Sequence, residues 1–341
     1  MTKLLTKKVR YLILLLVGLL LILFLPLPYY IELPGKAVPV SDYLTVTRPS
    51  PKKKAGELRL VYVSLYRASP VTYLWSYTNR FASRIPAKEI TGENNNSDYN
   101  KIQAYYMQDA LNEAEYVALK AAHYQVKRKY QGIYVMSLLK NSTFKGKLQV
   151  GDVITAINGK TYQSSGEFVK AVQGLKYGSR VQVSYLRNQT PKVSWGRIVK
   201  LAGSNKTGLG ISLADKSRIQ TPVSFKTNVD DIGGPSAGLM FSLELYNQLT
   251  AKQLLRGRNV AGTGTGTISA DGKVGPIGGV DKKVIASAKA KADIFFVPAQ
   301  SEPGAISNYQ LAKKTAKQIK TKMKIVPVAS FSEAVTYLEE N

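Results

Sequence analysis

The segment around Ser236 has the residue types and spacing of a nucleophile site. Residues 231–240 read DIGGPSAGLM, and the apolar character continues to Leu245. Proline is favoured in the first turn of a helix, so Pro235 places Ser236 at a helix N-terminus. Free backbone N–H groups and the helix dipole stabilise negative charge at that position. We therefore predict that Ser236 is a nucleophile. Backbone N–H groups, including that of Gly234, would hold the oxyanion of the tetrahedral intermediate.

A second glycine-rich segment supplies a candidate base. Residues 263–268 (TGTGTI) are followed at 272–283 by GKVGPIGGVDKK, which opens a helix predicted over 281–292 with Asp281 as its N-cap. A lysine in the first turn of a helix is disfavoured as a cation, and burial lowers its pKa further. The chain has one His, His123, which we expect to be a packed or surface residue. A Ser-Lys dyad is therefore the simplest assignment.

The composition excludes several other kinds of site. The chain has no Cys, which excludes disulfides, thiolate metal sites and a Cys nucleophile. A single His argues against a multi-His metal centre and a Ser-His-Asp triad. The Gly159-Lys160 pair is not a phosphate loop, because Ile154 stands where the first glycine is required. The sequence thus predicts no metal and no cofactor.

The two glycine-rich segments together resemble the proteolytic domain of the Lon family. The P-S-A-G motif stands at 235–238 and the P-I-G-G-x-x-x-K motif at 276–283. The resemblance implies that Ser236 is the nucleophile, that Lys283 is the base, and that Thr265 helps to position the lysine amine. It also implies a peptidase that needs no cofactor.

Two neighbouring positions qualify this assignment. The acidic residue that the family often has three residues before the nucleophile is replaced by Gly233, and Asp231 is out of register, so no acidic third member is identified. Lys282 precedes Lys283 and is rotated by about 100° around the helix. We therefore expect Lys282→Ala to have a mild effect.

A different pattern occupies the middle of the chain. In residues 148–159 (LQVGDVITAING), positions 153–157 alternate like a strand and an Asn-Gly turn follows them. With predicted strands at 132–136 and 180–186 and a helix at 166–174, this region resembles a PDZ domain. The resemblance implies that a peptide C-terminus binds to backbone N–H groups while the peptide adds a strand to the sheet. The predicted carboxylate-binding loop comprises Tyr130, Gln131, Gly132 and Ile133. A closed, purely structural module is the alternative.

The N-terminus has a basic segment followed by an uncharged run from 11 to 31. Such a run is long enough to cross a bilayer, and it lacks the small-x-small pattern of a signal-peptidase site. We therefore predict an uncleaved transmembrane anchor rather than a cleaved signal peptide. The basic N-terminus is expected to stay in the cytoplasm, so that Tyr29 and Tyr30 lie at the outer interface.

These observations predict a multi-domain α+β protein with a transmembrane helix, a PDZ-like β-rich module and a Lon-type α+β proteolytic domain. Outside these regions we predict a strand at 57–66, a loop at 92–100 and a helix at 105–130. The predicted limits are 1–10 for the cytoplasmic N-terminus, 11–31 for the anchor, 32–118 for an extracytoplasmic region that packs with the protease domain, 119–205 for the PDZ-like domain and 206–341 for the Lon-like domain.

The whole arrangement resembles the membrane-anchored, PDZ-containing Lon-like proteases of Gram-positive bacteria. It implies a single-pass protein of the cell membrane with an extracellular, ATP-independent serine endopeptidase that cleaves secreted or membrane-associated peptides and unfolded proteins. A net charge of +26 favours anionic lipids or cell-wall polymers as further partners. No nucleic acid is expected, and a homo-oligomer is left open. The alternatives are a catalytically inactive PDZ adaptor and a basic wall-binding protein.

Overall fold

The computed structural model describes residues 7–48, 55–92, 94–201, 203, 205–262, 268–299 and 306–341. Its helices are α1 Lys7–Leu23, α2 Pro70–Trp75, α3 Ala87–Thr91, α4 Asn96–Ala121, α5 Ser165–Gln173, α6 Gly238–Leu249, α7 Val280–Lys289, α8 Asn308–Gln318 and α9 Phe331–Glu340. Its strands before α6 are β1 Tyr29–Pro39, β2 Leu44–Val46, β3 Glu57–Arg67, β4 Ser83–Pro86, β5 Lys127–Leu138, β6 Val153–Ile157, β7 Arg180–Arg187, β8 Thr190–Arg197, β9 Val199–Lys200, β10 Thr207–Gly208, β11 Ile211–Gln220 and β12 Phe225–Thr227. The strands after α6 are β13 Asn259–Gly262, β14 Ile294–Pro298 and β15 Lys324–Val328.

A six-stranded mixed sheet in the order β15-β14-β13-β3-β1-β4 forms the centre of the larger unit. Strands β3, β13, β14 and β15 run parallel, whereas β1 is antiparallel to β3 and to β4. Because side chains alternate along a strand, Leu58 and Leu60 pack on one face with α4, α6 and α9, and Val61 packs on the other face with α7 and α8. The result is a sheet between two helical layers.

A second sheet, in the order β11-β5-β6-β7-β8, has its own apolar core and packs against α5. It lies in the chain between α4 and α6, so the larger unit is interrupted and then resumed. Strand β11 is part of this second sheet although it lies beyond the predicted limit at 205. The larger unit therefore contains residues from both sides of an inserted PDZ-like module.

The N-terminal segment differs from the predicted anchor. Helix α1 ends at Leu23, and Tyr29 already opens β1, in which Ile31 is fully buried. Pro26 and Pro28 follow the helix, and proline cannot donate the backbone hydrogen bonds that would extend it. Helix α1 therefore ends eight residues before the predicted anchor limit at 31, and Tyr30 belongs to the sheet. Within the described part of the chain, no helix has the length and apolar character needed to cross a membrane.

Most local predictions from periodicity are confirmed. The predicted strand at 57–66 is β3, and those at 153–157 and 180–186 are β6 and β7. The long helix begins earlier than expected, because the side chain of Asn95 accepts a hydrogen bond from the N–H of Asp98 and caps α4. It also ends earlier, at Ala121, and His123 follows as an exposed residue with a positive φ of 62°.

Candidate active site

Ser236 lies in the tight turn that precedes α6. The helix begins at Gly238 with Ala237 as its N-cap. Pro235 therefore stands before the first turn, whereas the sequence predicted it inside that turn. Gly238 is packed closely, since a Cβ at this position would lie 2.8 Å from Cγ2 of Ile268. The body of α6 is buried, whereas Ser236 is half-buried. The turn thus holds the serine at the edge of the core, where it can meet a substrate.

The start of α6 can stabilise an oxyanion. Ala237 offers no side-chain cap to the first N–H groups of the helix, and these groups lie at the positive end of the helix dipole. The predicted contribution of Gly234 is not available in this conformation. Its N–H donates to the carbonyl oxygen of Gln103 on α4 at 3.0 Å. The N–H groups at the start of α6 are therefore the stronger candidates for the oxyanion site.

Helix α4 packs closely against Gly233, three positions before Ser236. A Cβ added to Gly233 would lie 3.0 Å from the Cβ of Gln103. A side chain at this position would crowd Gln103, so the turn or α4 would have to shift by a few tenths of an ångström. Asp231 is exposed, so it does not substitute for the missing acid inside the core.

Lys283 lies in the first turn of α7 and is almost completely buried, with 4% of its surface exposed. Its N–H donates to the carbonyl oxygen of Gly279 at 3.0 Å. Gly279, in the left-handed conformation with a φ of 62°, is the N-cap residue, and the predicted cap Asp281 lies inside the first turn. Burial lowers the pKa of Lys283 to about 8. A lysine with this pKa is substantially neutral at mildly alkaline pH, as a general base requires.

Lys282 is also buried, with 5% of its surface exposed, but its ammonium group is engaged. It donates to Ser83 Oγ of β4 at 2.6 Å and to Asp281 Oδ2 at 2.6 Å. The two adjacent lysines therefore have different environments, and Lys282 is held as an ion pair. Lys282→Ala removes this buried contact between α7 and β4, so we expect it to lower stability, and the mild effect on activity stays a prediction.

Sequence reasoning missed Glu32, an acidic residue on β1. Its Oε1 lies 2.8 Å from the point where a Cβ on Gly279 would stand, which places the carboxylate against the start of α7. Burial raises the pKa of Glu32, and the positive charges of Lys282 and Lys283 oppose this rise. The only signal in the sequence was that Glu32 is the first acidic residue of the chain, directly after the apolar N-terminus.

Helices α6 and α7 begin at the same end of the central sheet. Gly262, the last residue of β13, contacts Met240 of α6 and pairs with Leu60 of β3. Gly279 lies against Val63, three residues further along β3. The start of α6 and the start of α7 thus meet the sheet beyond the carboxyl end of β13, from opposite faces. Thr265, the third predicted catalytic residue, lies outside the described residues.

The predicted carboxylate-binding loop of the PDZ-like module is misplaced. Tyr130 pairs with Ser217 of β11, and Gly132 pairs with Lys216. Ile133 pairs on both sides, with β11 and with Ile154 of β6. Gln131 lies between these paired residues in β5. Because β5 has a neighbouring strand on each side from Ile133 onward, a peptide cannot add there as a strand.

The structure offers a different groove, between β11 and α5. Strand β11 is at one edge of the second sheet within the described residues. The cleft beside it is lined on the α5 side by Val169 and Val172 and on the β11 side by Ile211 and Leu213. Gly210 makes the turn before the strand, with a φ of 72°. An extended peptide can therefore add to β11 and place apolar side chains against α5.

Comparison with known proteins gives two family matches. Residues 122–193 match the PDZ domain, and residues 212–339 match the Lon protease (S16) C-terminal proteolytic domain. These matches support a serine peptidase. Both Ser236 and Lys283 fall inside the second matched range, whereas Glu32 and α4 lie outside it.

Individual relatives agree with these matches. The chain is similar to the Lon protease of Campylobacter jejuni subsp. jejuni, with 28% identity over 222 residues, which are 60% of this chain and 25% of that protein. It is similar to the Lon protease of Neorickettsia sennetsu, with 33% identity over 104 residues, 30% of this chain and 11% of that protein. The chain thus spans at most about a quarter of these relatives' length. The crystal structure of the PDZ domain of the SdrC-like protein from Listeria monocytogenes is 29% identical, with a TM-score of 0.24, and covers 25% of this chain and 90% of that chain.

Proposed function

We propose that this chain is an ATP-independent serine endopeptidase with a Ser236–Lys283 dyad. The proposal rests on the buried Lys283, whose pKa burial lowers to about 8. Its helix, α7, starts at the same end of the sheet as the turn that carries Ser236. In the first step, Ser236 Oγ attacks the scissile carbonyl carbon and its proton passes to the neutral Nζ of Lys283. The N–H groups at the start of α6 stabilise the oxyanion.

The second half of the reaction uses the same groups. The ammonium of Lys283 protonates the leaving amine as the peptide C–N bond breaks, which leaves an acyl ester on Ser236 and a neutral lysine. Lys283 then takes a proton from water as the water attacks the ester. Collapse of the second tetrahedral intermediate returns that proton to Ser236 Oγ and releases the carboxylic acid product.

The substrates that fit this site are flexible peptides and unfolded protein segments. The sequence has no intact phosphate loop, so no motif is present that would couple cleavage to nucleotide hydrolysis. The groove between β11 and α5 has the geometry to hold an extended peptide by strand addition, which would deliver substrates by their C-termini. The PDZ-like module thus recruits substrate and takes no part in the bond cleavage.

We also propose that the N-terminal apolar segment attaches the protein to the cell membrane of a Gram-positive bacterium, with the catalytic unit on the extracellular side. Residues 11–17 on α1 are each between 44% and 71% exposed, which would be unfavourable in water for so apolar a helix. The cations that precede them favour a cytoplasmic N-terminus. Fractionation of cells that express the tagged full chain tests attachment, and protease accessibility of each end tests the orientation.

The catalytic proposal is tested by labelling and turnover in matched variants. The wild type should react with a fluorophosphonate probe and cleave a fluorogenic peptide, and Ser236→Ala should lose both. Lys283→Ala and Lys283→Arg should lose turnover, because neither side chain can accept the proton. Ser332→Ala, which alters an exposed serine of α9, is the control that should retain both. If Ser236→Ala keeps its labelling and activity, the dyad is wrong, and a wild type with neither property points to an inactive adaptor.

A further inference from the structure

Helix α2 and the turn that follows it form an exposed apolar surface. We call it the α2 surface, and it comprises Val71, Leu74, Trp75 and Tyr77. Their exposed fractions are 40%, 67%, 47% and 62%. No residue of α2 is buried, so these side chains are not the outer part of a packed core. Four large apolar and aromatic side chains exposed on so short a segment indicate a contact surface.

The backbone of this segment is held rigidly in spite of its exposure. Ser69 and Thr72 form a reciprocal capping box, and Pro70 occupies the first turn. Ser76 is buried and donates through Oγ to the carbonyl oxygen of Tyr73 at 2.6 Å. Arg84 of β4 donates to the carbonyl oxygen of Ser76 at 3.2 Å. The apolar side chains are therefore presented on a fixed scaffold and do not belong to a loose loop.

The α2 surface adjoins the N-terminal apolar helix. The N–H of Leu27 donates to the carbonyl oxygen of Ala68 at 2.7 Å, which ties the segment after α1 to the start of α2. The ring of Tyr29 lies 5.1 Å from that of Tyr73. Phe24 and Leu25, at the end of α1, are also exposed. The medium around the end of α1, whether water or lipid, therefore also contacts the α2 surface.

The sequence segment that carries this surface is rich in cations. Residues 67–88 contain the four cations Arg67, Arg80, Arg84 and Lys88, and the first acid after them is Glu89 on α3. The guanidinium of Arg84 lies 4.0 Å from the ring centroid of Tyr77. Trp and Tyr beside Arg and Lys are the residues that membrane–water interfaces favour, and clustered cations attract anionic headgroups. A second protein with a complementary acidic patch would not by itself account for the continuity with α1.

We propose that the α2 surface inserts into the headgroup region of an anionic lipid bilayer, as a second membrane contact beside α1. This inference rests on the proposed membrane attachment. It adds that the catalytic unit lies against the bilayer in one orientation. Strand β1 starts at Tyr29, whose ring contacts Tyr73 of α2, and three residues further along it Glu32 pairs with Ser83 of β4. The active site would consequently lie near the membrane and act on segments that emerge there.

The two tryptophans of the chain allow a direct test. Trp75 lies in the α2 surface, and Trp195 lies on β8 of the PDZ-like module under the guanidinium of Arg180. The full-length Trp195→Phe variant, which keeps Trp75 alone, is reconstituted into phosphatidylglycerol vesicles with brominated acyl chains, which quench on contact. Its fluorescence should fall by about twofold or more relative to unbrominated vesicles. The matched Trp75→Phe variant, which keeps Trp195, should be unaffected.

Each other result overturns a defined part of the proposal. Equal quenching of the two variants, or no quenching of either, excludes the α2 surface as a lipid contact. Equal quenching of Trp75 in phosphatidylglycerol and phosphatidylcholine vesicles refutes the preference for anionic lipid. If Trp75 is unquenched and Leu74→Glu dissociates a dimer in detergent, the surface is an interface between copies of this chain. Flotation of the vesicles separates these outcomes from failure of membrane attachment, in which the chain would remain at the bottom of the gradient.

Discussion

The buried Lys283 makes the peptidase activity depend on pH in a way that can be calculated. With a pKa of about 8, the fraction of neutral lysine is about 0.1 at pH 7, about 0.5 at pH 8 and about 0.9 at pH 9. An unperturbed lysine with its pKa near 10.5 would be neutral only to about 0.0003 at pH 7. We therefore expect kcat/KM to rise about fivefold from pH 7 to pH 8, and about twofold more by pH 9.

Glu32 provides the perturbation that tests this reasoning. Its charge raises the pKa of Lys283 and so opposes the effect of burial. Glu32→Gln keeps the shape and removes that charge, so the rise in activity should move to lower pH. The plateau at high pH should fall slightly, because a base with a lower pKa is weaker. Asp281→Asn is the matched control, since Asp281 is paired with Lys282 and should leave the midpoint unchanged.

The assay is cleavage of a short fluorogenic peptide between pH 6 and pH 10 at constant ionic strength, with circular dichroism at each pH to verify folding. A profile that is flat across this range, or one that rises only above about pH 10, would refute a buried lysine base. A midpoint that moves to higher pH in Glu32→Gln would show that the carboxylate acts in a different way. If Asp281→Asn moves the midpoint as far as Glu32→Gln does, the effect is not specific to Glu32.

Three further predictions concern stability and substrate recruitment. The lowered pKa of Lys283 means that the unfolded chain binds more protons than the folded chain between about pH 8 and pH 10.5. Burial of Lys283 therefore lowers the free energy of unfolding below pH 8 by about 3 kcal/mol, and this cost disappears as the pH rises. Lys283→Met should raise the free energy of urea unfolding by up to this amount at pH 7 and leave it unchanged at pH 10.5. Lys282→Ala should lower the free energy of unfolding by about 1–3 kcal/mol, because Asp281 and Ser83 lose their hydrogen-bond partner. The pH midpoint of the remaining activity should stay in place, and loss of activity without loss of stability would contradict this. Val169→Arg, in the groove beside β11, should reduce cleavage of an unfolded protein with an apolar C-terminus and spare a short peptide; equal cleavage of the protein by this variant and the wild type would show that the groove does not recruit substrate.

Local sequence patterns predicted several of the elements and located the two glycine-rich motifs. Alternating apolar residues predicted β3 and β6, and the glycine-proline context identified Ser236 and Lys283 at the starts of their helices. The acid that faces the dyad could not be found in this way. Glu32 reaches the start of α7 only because β1 pairs with β3, and α7 packs on that pair of strands. A contact between positions so distant in the sequence depends on tertiary packing and leaves no local pattern.

The misplaced peptide groove has the same kind of cause. Residues 131–133 in β5 and residues 210–211 at the start of β11 each contain a glycine followed by an isoleucine. Either segment could accept a peptide, and only the neighbouring strands decide between them. Strand β11, the last strand of the second sheet in the chain, pairs with β5. As a result β5 is an inner strand and β11 is an edge strand. Edge position is therefore a property of the whole sheet and not of its local sequence.

Helix α4 connects the inserted module to the nucleophile turn, which predicts the outcome of deleting residues 131–201. The carbonyl oxygen of Gln103 accepts the N–H of Gly234, and two residues later Tyr105 donates through its hydroxyl to the carbonyl oxygen of Asp215 on β11 at 2.6 Å. The deletion removes the strands that hold β11, so α4 loses its support beside the turn that carries Ser236. We expect activity on short peptides and on unfolded proteins to fall together, accompanied by a lower melting temperature. Full cleavage of short peptides by the deletion variant, with loss only of protein substrates, would show that α4 holds the active site without the module.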